Sequence, residues 1–440
     1  MLPERIKALH VSIAAGPGGE LVHQSQYEFR YAPDVGKDVG LLMPARMLSY
    51  RDTPLFPVMD QHLPEGDLFV RLRHMFPKQA LTPMHLLALV GENGIGRLGY
   101  RVPGQMPAHA PVGLSRQALL EMRYSPQVFD DLVAAYLSTG VGVAGMQPKI
   151  MVPDRPTIPI PNVIVKAASP AYPHLAANEY LCMQAAHQAC IATAACELTH
   201  DGQMLLVDRF DVGPQGQRLG FEDIAALMGL SVRDTLADRK YQGSYQRVVE
   251  VLRAIRLPAA GLRAFYEQLV LSVMVRNGDA HLKNFGVLYD DAASVRMAPM
   301  FDVVTTTIYR YARFAGGPDY TDNTMALKLF AGKGGSKGYP LPKELLRFGK
   351  EVCSVHNPAE VVHRVAQGMA QVLAAAGTDA RIPAVLLAQL QPQWQIGMDY
   401  AREVRGGKVS IRLQPLQHPA KVRTGVRRMR PALVTPTAFG

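Results

Sequence analysis

The sequence predicts an α+β fold in two parts, with strands concentrated in the first half and helices in the second. Three observations carry that expectation. Apolar and polar residues alternate through "LHVSIAAGPGGELVHQSQYEFRYA" (9–32), the period of a half-buried strand pair. Beyond about Gly220 the apolar residues instead recur at helical spacing, as in "SYQRVVEVLRAI" and "LRAFYEQLVLSVMV". The chain has 440 residues, 48% of them hydrophobic and 19% charged, an ordinary globular composition and enough length for more than one core.

The elements follow in order. The hairpin in the first segment is expected to break at Gly16-Pro17-Gly18-Gly19. "DLFVRLRHMF" and "TPMHLLALVG" read as short helices, the second opened by Thr82 or Pro83 and stopped by Gly91. "GENGIGRLGY" (91–100) reads as a hairpin turn. The Pro-rich stretch from Val102 to Gly113 is a natural linker. A helix from about Ser125 to Leu137 comes next, then strands at "KIMV", "NVIVK" and "QMLLVDRFDV", with a long helix at "HLAANEYLCMQAAHQA". The remainder reads as helical, including "FEDIAALMGL", interrupted by one hairpin over "FGVLYDDAASVRMAPMFDVV". Late helices are expected over about 342–349, 359–376 and 382–404.

Composition narrows the setting. The N-terminus is charged at once and has no apolar run of the secretory kind, and no stretch of about 18 apolar residues exists, so neither a signal peptide nor a membrane span is expected. Cys182, Cys190, Cys196 and Cys353 are too few and wrongly spaced for a disulfide scaffold or a zinc site, which points to reduced thiols in a cytoplasm. The net charge of +10 permits an acidic partner. Its densest stretch, Lys421 to Arg430, lacks aromatic residues; it reads as a solvated tail, the competing reading being a nucleic-acid arm.

The chemistry gathers on "NGDAHLKN" (277–284). An Asp that accepts a hydroxyl proton and an Asn that holds a metal, spaced Asp-x-x-x-x-Asn, are parts of the phosphoryl-transfer kit, and Asp279 and Asn284 have that spacing. A hairpin then leads to Asp302 in "APMFDVV", where a second metal-binding carboxylate is needed. By itself the spacing also suits a helix cap and a turn. His281 either orients Asp279, contacts phosphate or is structural. Phosphoryl transfer also needs a cation on the phosphates and a carboxylate to position it. Lys166 ends the strand "NVIVK", and about a dozen residues on, Glu179 lies near the start of a helix. Upstream, "GVGVAGMQPK" (140–149) contains G-x-G-x-x-G, but Pro148 and the strand after it argue for a flap over phosphates and not a Rossmann turn. Asp208, Arg209 and Asp211 follow the strand that would face the adenine, as hinge polar residues or ribose contacts.

Together "VAGMQPKIMV", "NVIVK", "ANEYLCMQAA", "LLVDRFDV", "FEDIAALMG", "RKYQGSYQRVVEVL", "NGDAHLKNFGVL" and "MAPMFDVV", in that order, resemble the HipA family, the kinase toxins of bacterial toxin–antitoxin pairs. "DQHLPEGDLFVRL" and "LLALVGENGIGRLGY" resemble its N-terminal subdomain, and the likeness covers roughly residues 8 to 400. The resemblance implies a bilobal protein-kinase-like fold with a β-rich N-terminal subdomain and an all-α C-terminal lobe. Its expected divisions are 1–107 for that subdomain, 108–212 for the N-lobe, 213–405 for the helical lobe and 406–440 for a basic tail. It implies a cytoplasmic serine/threonine protein kinase that uses ATP and Mg2+ to arrest growth. Its substrate in the family is often an aminoacyl-tRNA synthetase. A helix-turn-helix, HipB-like antitoxin neutralises it and supplies most of the contact with operator DNA.

By matching position, the resemblance implies Asp279 as base, with His281 and Lys283 completing D-x-H-x-K-N, and Asn284 and Asp302 as metal ligands. Gly142, Val143, Ala144, Gly145, Gln147, Lys149, Lys166, Glu179, Asp208, Arg209 and Phe210 would contact or position the nucleotide. One departure stands out: Gly142 occupies the place where family members often carry a self-phosphorylated Ser, with Ser138 and Thr139 the nearest substitutes. The same loop also resembles that of aminoglycoside and choline kinases, which lack the N-terminal subdomain, so a small-molecule kinase is the alternative. A pseudokinase is a third reading, against which the intact Lys166, Asp279, Asn284 and Asp302 weigh.

Overall fold

Alternation in the first hundred residues builds a five-stranded antiparallel sheet in the computed structural model. The model describes residues 3–92, 94–105, 114–138, 149–152, 154, 161–167, 172–231, 237–312, 319–332 and 334–404. The strands are β1 (Ala8–Ile13), β2 (Gly16–His23), β3 (Tyr27–Tyr31), β4 (Ser49–Asp52) and β5 (Leu98–Arg101), in the order β4-β3-β2-β1-β5. The first turn does not fall at Gly-Pro-Gly-Gly. Ile13 pairs with Gly16, and Ala14 and Ala15 make a two-residue turn with φ of 50° and 67°. Two positive φ values match the strand twist. The glycines instead lie in β2, where a Cβ on Gly19 would come within 2.1 Å of the Arg30 carbonyl oxygen. Leu9, Leu21, Phe29, Met59, Leu86 and Leu87 form the core beneath this sheet.

Helix Pro83–Val90 begins and ends where its sequence signals stand, with Thr82 accepting from the His85 amide and Gly91 at φ 61°. The "GENGIGRLGY" stretch is therefore a helix-to-strand connection into β5 and not a hairpin turn.

A second antiparallel sheet holds β6 (Lys149–Val152), β7 (Val163–Ala167), β8 (Cys196–Leu198) and β9 (Met204–Asp208), ordered β6-β7-β9-β8. Its own core joins Met151, Val163, Val165 and Leu206 to Leu119 and Phe129 of helices Arg116–Glu121 and Pro126–Ser138. Helix Leu175–Gln188 packs on β9 but belongs to the largest core, which it shares with helices Pro358–Ala376 and Ala384–Glu403. Close crossing sets that bundle: a Cβ on Gly397 would lie 1.9 Å from the Met274 carbonyl oxygen.

The second half is not all α. Strands β10 (Gly220–Asp223), β11 (Gly286–Tyr289) and β12 (Arg296–Met297) form a three-stranded antiparallel sheet, and β13 (Tyr311–Ala312) pairs with β14 (Asp319–Tyr320). The helical reading of "FEDIAALMGL" is half right. Asp223 accepts from the Ala226 amide at 2.7 Å and caps a helix limited to Ile224–Leu227, so the residues before it stay extended and pair with β11. The four cysteines are free, and no described helix is long and apolar enough to cross a membrane. Residues 1–404 form one compact unit. The basic tail expected over 406–440 lies outside the described residues, as do Gly142, Val143, Ala144, Gly145 and Gln147 of the expected flap.

The seam between the N-terminal sheet and β10–β11 contains a buried acid. Glu222 is 1% exposed, and its Oε1 accepts from the Leu41 amide at 2.7 Å and the Tyr289 hydroxyl at 2.6 Å. Burial pushes its carboxyl up from the ordinary 4.5 to about 7. A carboxyl that holds its proton more tightly when folded adds stability that is complete below the unfolded value and is lost as pH rises through the folded one. The window therefore runs from about 4.5 to about 7, with roughly 3 kcal/mol at stake. Glu222→Gln keeps the acceptor and removes the ionisation. Thermal melts should match wild type near pH 5 and exceed it at pH 8; equal dependence on pH in both proteins would contradict this account.

Candidate active site

Lys166 lies on β7, between Lys149 of β6 and Leu205 of β9 in the register, and is 2% exposed. An ammonium so placed must be paired. Glu179 Oε1 lies 2.5 Å from its Nζ, and Asp302 Oδ1 accepts from the same ammonium. Burial pulls the lysine pKa down, but Asp302 and Glu179 outweigh it and hold it above the ordinary value.

The carboxylates arrive from opposite directions and are locked to each other. Glu179 is in the second turn of helix Leu175–Gln188. Its neighbour Asn178, fully buried, donates to the Thr305 carbonyl at 3.0 Å and accepts from the Thr305 amide at 3.0 Å. The Trp394 indole fastens the Thr305 hydroxyl at 2.8 Å. Asp302, three residues before Thr305, has φ of 52°, a left-handed conformation that Asp tolerates better than most residues. Thr306 then reaches the other way: its hydroxyl accepts from the Gly278 amide at 2.8 Å, and its amide donates to the Arg276 carbonyl at 3.1 Å.

That contact leads to the loop after helix Ala259–Met274. Asn277 accepts from the Asp279 amide at 3.0 Å, and Asn284 donates its side-chain amide to the Asp279 carbonyl at 2.7 Å. The Asp279 carboxylate, nearly half exposed, accepts from the Tyr241 hydroxyl at 2.8 Å. His281 is buried, with Nε2 4.0 Å from Asp279 Oδ1 and Nδ1 without a hydrogen-bond partner. Burial first, aided by Lys240 and Lys283, pushes its pKa down to about 4 against the pull of Asp279 and Glu65, so the ring is neutral at pH 7. A proton on Nε2 faces Asp279 and leaves Nδ1 a bare acceptor, a cheaper orphan than a buried N–H. Lys283 pairs with Glu65 at 2.5 Å.

Lys166, Glu179, Asp208, Arg209, Phe210, Asp279, His281, Lys283, Asn284 and Asp302 all line one cavity of about 660 Å³. Among these, Arg209 is a structural tie. Its fully buried guanidinium pairs with Asp211 at 2.6 Å and donates to the carbonyls of Pro161 and Gly94. Asp208 accepts from Arg116 at 2.7 Å. Phe210 packs with Phe221 and Phe301, ring centroids 5.7 and 5.4 Å away, and with Ile95, Ile164 and Val207 gives one side of the cavity an apolar wall. Lys149 is placed only by its backbone.

Flat apolar side chains next to a buried ammonium fit a nucleotide base and its phosphates. Asn284 and Asp302 offer hard oxygens, which suit Mg2+, an ion that takes most of its shell from water and phosphate. Among the described residues, no group of three or more His, Cys, Asp or Glu side chains comes together as a metal site.

Glu65, Tyr241 and Ile95 also reach this cavity, and sequence reasoning gave them no role. Glu65 is 218 residues from Lys283 and Tyr241 is 38 from Asp279, so no local spacing could announce them. Asn178→Ala removes both bonds to Thr305 and leaves buried backbone groups without partners. A loss of about 2–4 kcal/mol is expected by urea unfolding, with weakened nucleotide binding because Glu179 and Asp302 lose their common anchor.

The chain is similar to proteins already known. The family model of the HipA-like C-terminal domain matches residues 141–376, and that of the HipA N-terminal domain matches 9–101. Y4dM of Sinorhizobium fredii, which carries kinase in its name, is 35% identical over 109 residues, 24% of this chain and 25% of that protein. A Haemophilus influenzae protein also named for a kinase is 25% identical over 234 residues, 49% of this chain and 65% of its own length. The chain thus spans less than two thirds of these curated relatives. A solved HipA from Shewanella oneidensis MR-1, in complex with HipB and its operator DNA, superposes with a TM-score of 0.59 at 17% identity, over 91% of this chain and 100% of that one, a likeness of fold. The matched family models span more than half of the sequence, and the chain belongs to the HipA family of kinases.

Proposed function

We propose that this chain is a cytoplasmic, ATP- and Mg2+-dependent serine/threonine protein kinase of the toxin type, which phosphorylates a cellular protein to arrest growth. The observation that carries the proposal is the convergence of Asp279 and Asn284 with Asp302 and the Lys166–Glu179 pair on one cavity. Bound ATP and Mg2+ would supply the phosphoryl group and the charge that neutralises its phosphates. Lys166, held in place by Glu179, would be the cation that meets the phosphates. Asp302 and Asn284 would hold the metal. Asp279 accepts the proton of the attacking hydroxyl, its carboxylate oriented by Tyr241 and its backbone by Asn277 and Asn284. Charge and position do most of the catalytic work in such a transfer.

The N-terminal subdomain and the fold likeness to a HipA solved with HipB and operator DNA support a HipB-like antitoxin as partner, with DNA contact mainly through it. Gly142 stands where members of the family often carry a self-phosphorylated Ser, so control through a phosphate at that position is not expected.

The test incubates purified protein with labelled ATP, Mg2+ and a bacterial protein extract, alongside Asp279→Asn. Label is expected on Ser or Thr of a protein, falling by about 10²- to 10⁴-fold in the variant, the range for loss of a general base. Asp302→Ala should abolish the Mg2+ dependence together with transfer. Label confined to a small metabolite would replace this reading with a small-molecule kinase.

A further inference from the structure

The cation pair beside the catalytic loop is held by a residue from the other end of the chain. Glu65 stands at the start of helix Gly66–Met75, in the part matched by the HipA N-terminal domain. Its Oε1 lies 2.5 Å from Lys283 Nζ and its Oε2 lies 3.5 Å from Lys240 Nζ. All three side chains are withdrawn from solvent, with 14% of Glu65, 9% of Lys283 and 6% of Lys240 exposed. One carboxylate therefore serves two buried ammonium groups, with Asp223 and Asp60 as the further carboxylates near Lys283. Asp223 is occupied in capping helix Ile224–Leu227. Burial works against the charge of Glu65, but the lysines outweigh it and hold its carboxyl at about 2.

The placement of the two lysines gives this pairing its meaning. Lys283 precedes Asn284, whose amide grips the Asp279 carbonyl. Lys240 precedes Tyr241, whose hydroxyl holds the Asp279 carboxylate. Each lysine is thus the chain neighbour of a residue bonded to Asp279. Lys283 also sits within the single turn Leu282–Asn284, where movement of one residue moves the next.

We infer that Glu65 is a positioning residue of the active site: by pinning Lys283 and Lys240 it fixes Asn284 and Tyr241, and through them Asp279. The N-terminal part thereby completes the catalytic loop of the second half. The inference rests on the reading of Asp279 as the base. Anchorage of the N-terminal part does not depend on Glu65. Gln61 exchanges bonds with the Phe221 carbonyl and the Asp223 amide at 2.9 Å each, Ser231 donates to the Leu55 carbonyl at 2.6 Å, and the Gly96 amide donates to Asp211 at 2.6 Å. A change at Glu65 is thus expected to loosen the loop and leave the docking intact.

The experiment compares full-length wild type, Glu65→Gln, Lys283→Gln and the double variant. Small displacements of a catalytic group cost up to about 100-fold in rate. Glu65→Gln should lower kcat by roughly 10- to 100-fold, with a smaller rise in the KM for ATP, because Asn284 is loosened while Lys166 and Asp302 are untouched. The double variant should be no worse than the more impaired single variant by more than about 3-fold, since both changes break one contact. Independently of activity, amine labelling read by mass spectrometry should find Lys283 and Lys240 protected in wild type and reactive in Glu65→Gln. A Glu65→Gln protein with wild-type kcat, multiplying effects in the double variant, or unchanged lysine protection would each overturn the inference. If Glu65→Gln does not fold, Glu65→Asp keeps the charge at shorter reach; it should lose several-fold in kcat, and a wild-type rate would overturn the inference. Wild type that transfers no phosphate would instead sink the kinase reading, with the labelling still deciding whether Glu65 pins the lysines.

Discussion

The architecture around the cavity depends on one charge that cannot be left alone. Lys166 sits on an interior strand with 2% of its surface exposed, and an isolated ammonium there would cost far more than any fold could spare. Two carboxylates from distant parts of the chain are therefore required, one on a helix and one in the segment after a hairpin. Satisfying that requirement draws the second sheet, helix Leu175–Gln188 and the Asp302 segment to a point.

The segment from Asp302 to Thr306 carries this constraint onward. On one side Thr305 is bonded to Asn178, the neighbour of Glu179; on the other Thr306 is bonded to Gly278 and Arg276, at the entrance of the loop that carries Asp279. The residues read as phosphate-binding and those read as catalytic are thus parts of one hydrogen-bonded frame. Such a frame is held at several points at once, since Asn178 also donates to the Tyr309 hydroxyl and the Thr306 hydroxyl both accepts from the Gly278 amide and donates to the Arg276 carbonyl. It also explains how Asp302 can keep a left-handed φ, since the bonds at residues 305 and 306 fix the chain just beyond it.

The N-terminal part adds a second buried electrostatic joint. Arg209 and Arg218 reach into the Glu92–Gly96 connection, Glu222 takes the Leu41 amide, and Glu65 takes two lysines. Of these residues Glu65 and Arg209 line the cavity, as do Gln61, His62 and Ile95, so the N-terminal part contributes to the site wall. The apolar lining shows the same sharing, with Ile95 from the N-terminal part on the same cavity as Phe210, Phe221 and Phe301.

Much of this could be read from the sequence because it is local. Periodicity placed the long helices, the strands "KIMV" and "NVIVK" and the Met204–Asp208 part of "QMLLVDRFDV", and the caps at Thr82 and Gly91 were visible as residue types. The Asp279–Asn284 spacing and the Lys166–Glu179 order were visible because each pair lies on one loop or on consecutive elements, whereas their meeting on one cavity is a result of packing. What the tertiary structure alone decided is everything that needs two remote surfaces to meet. Extended Gly220–Asp223 is a strand because β11 lies beside it, and the first turn sits at Ala14–Ala15 because pairing of Ile13 with Gly16 sets the register. The position of Lys283 in the loop is legible in the sequence, but its pairing with Glu65, 218 residues away, is not. Short spacing encodes which groups share an element; only packing determines which buried charge meets which, since an ion pair between remote residues leaves no period in the chain.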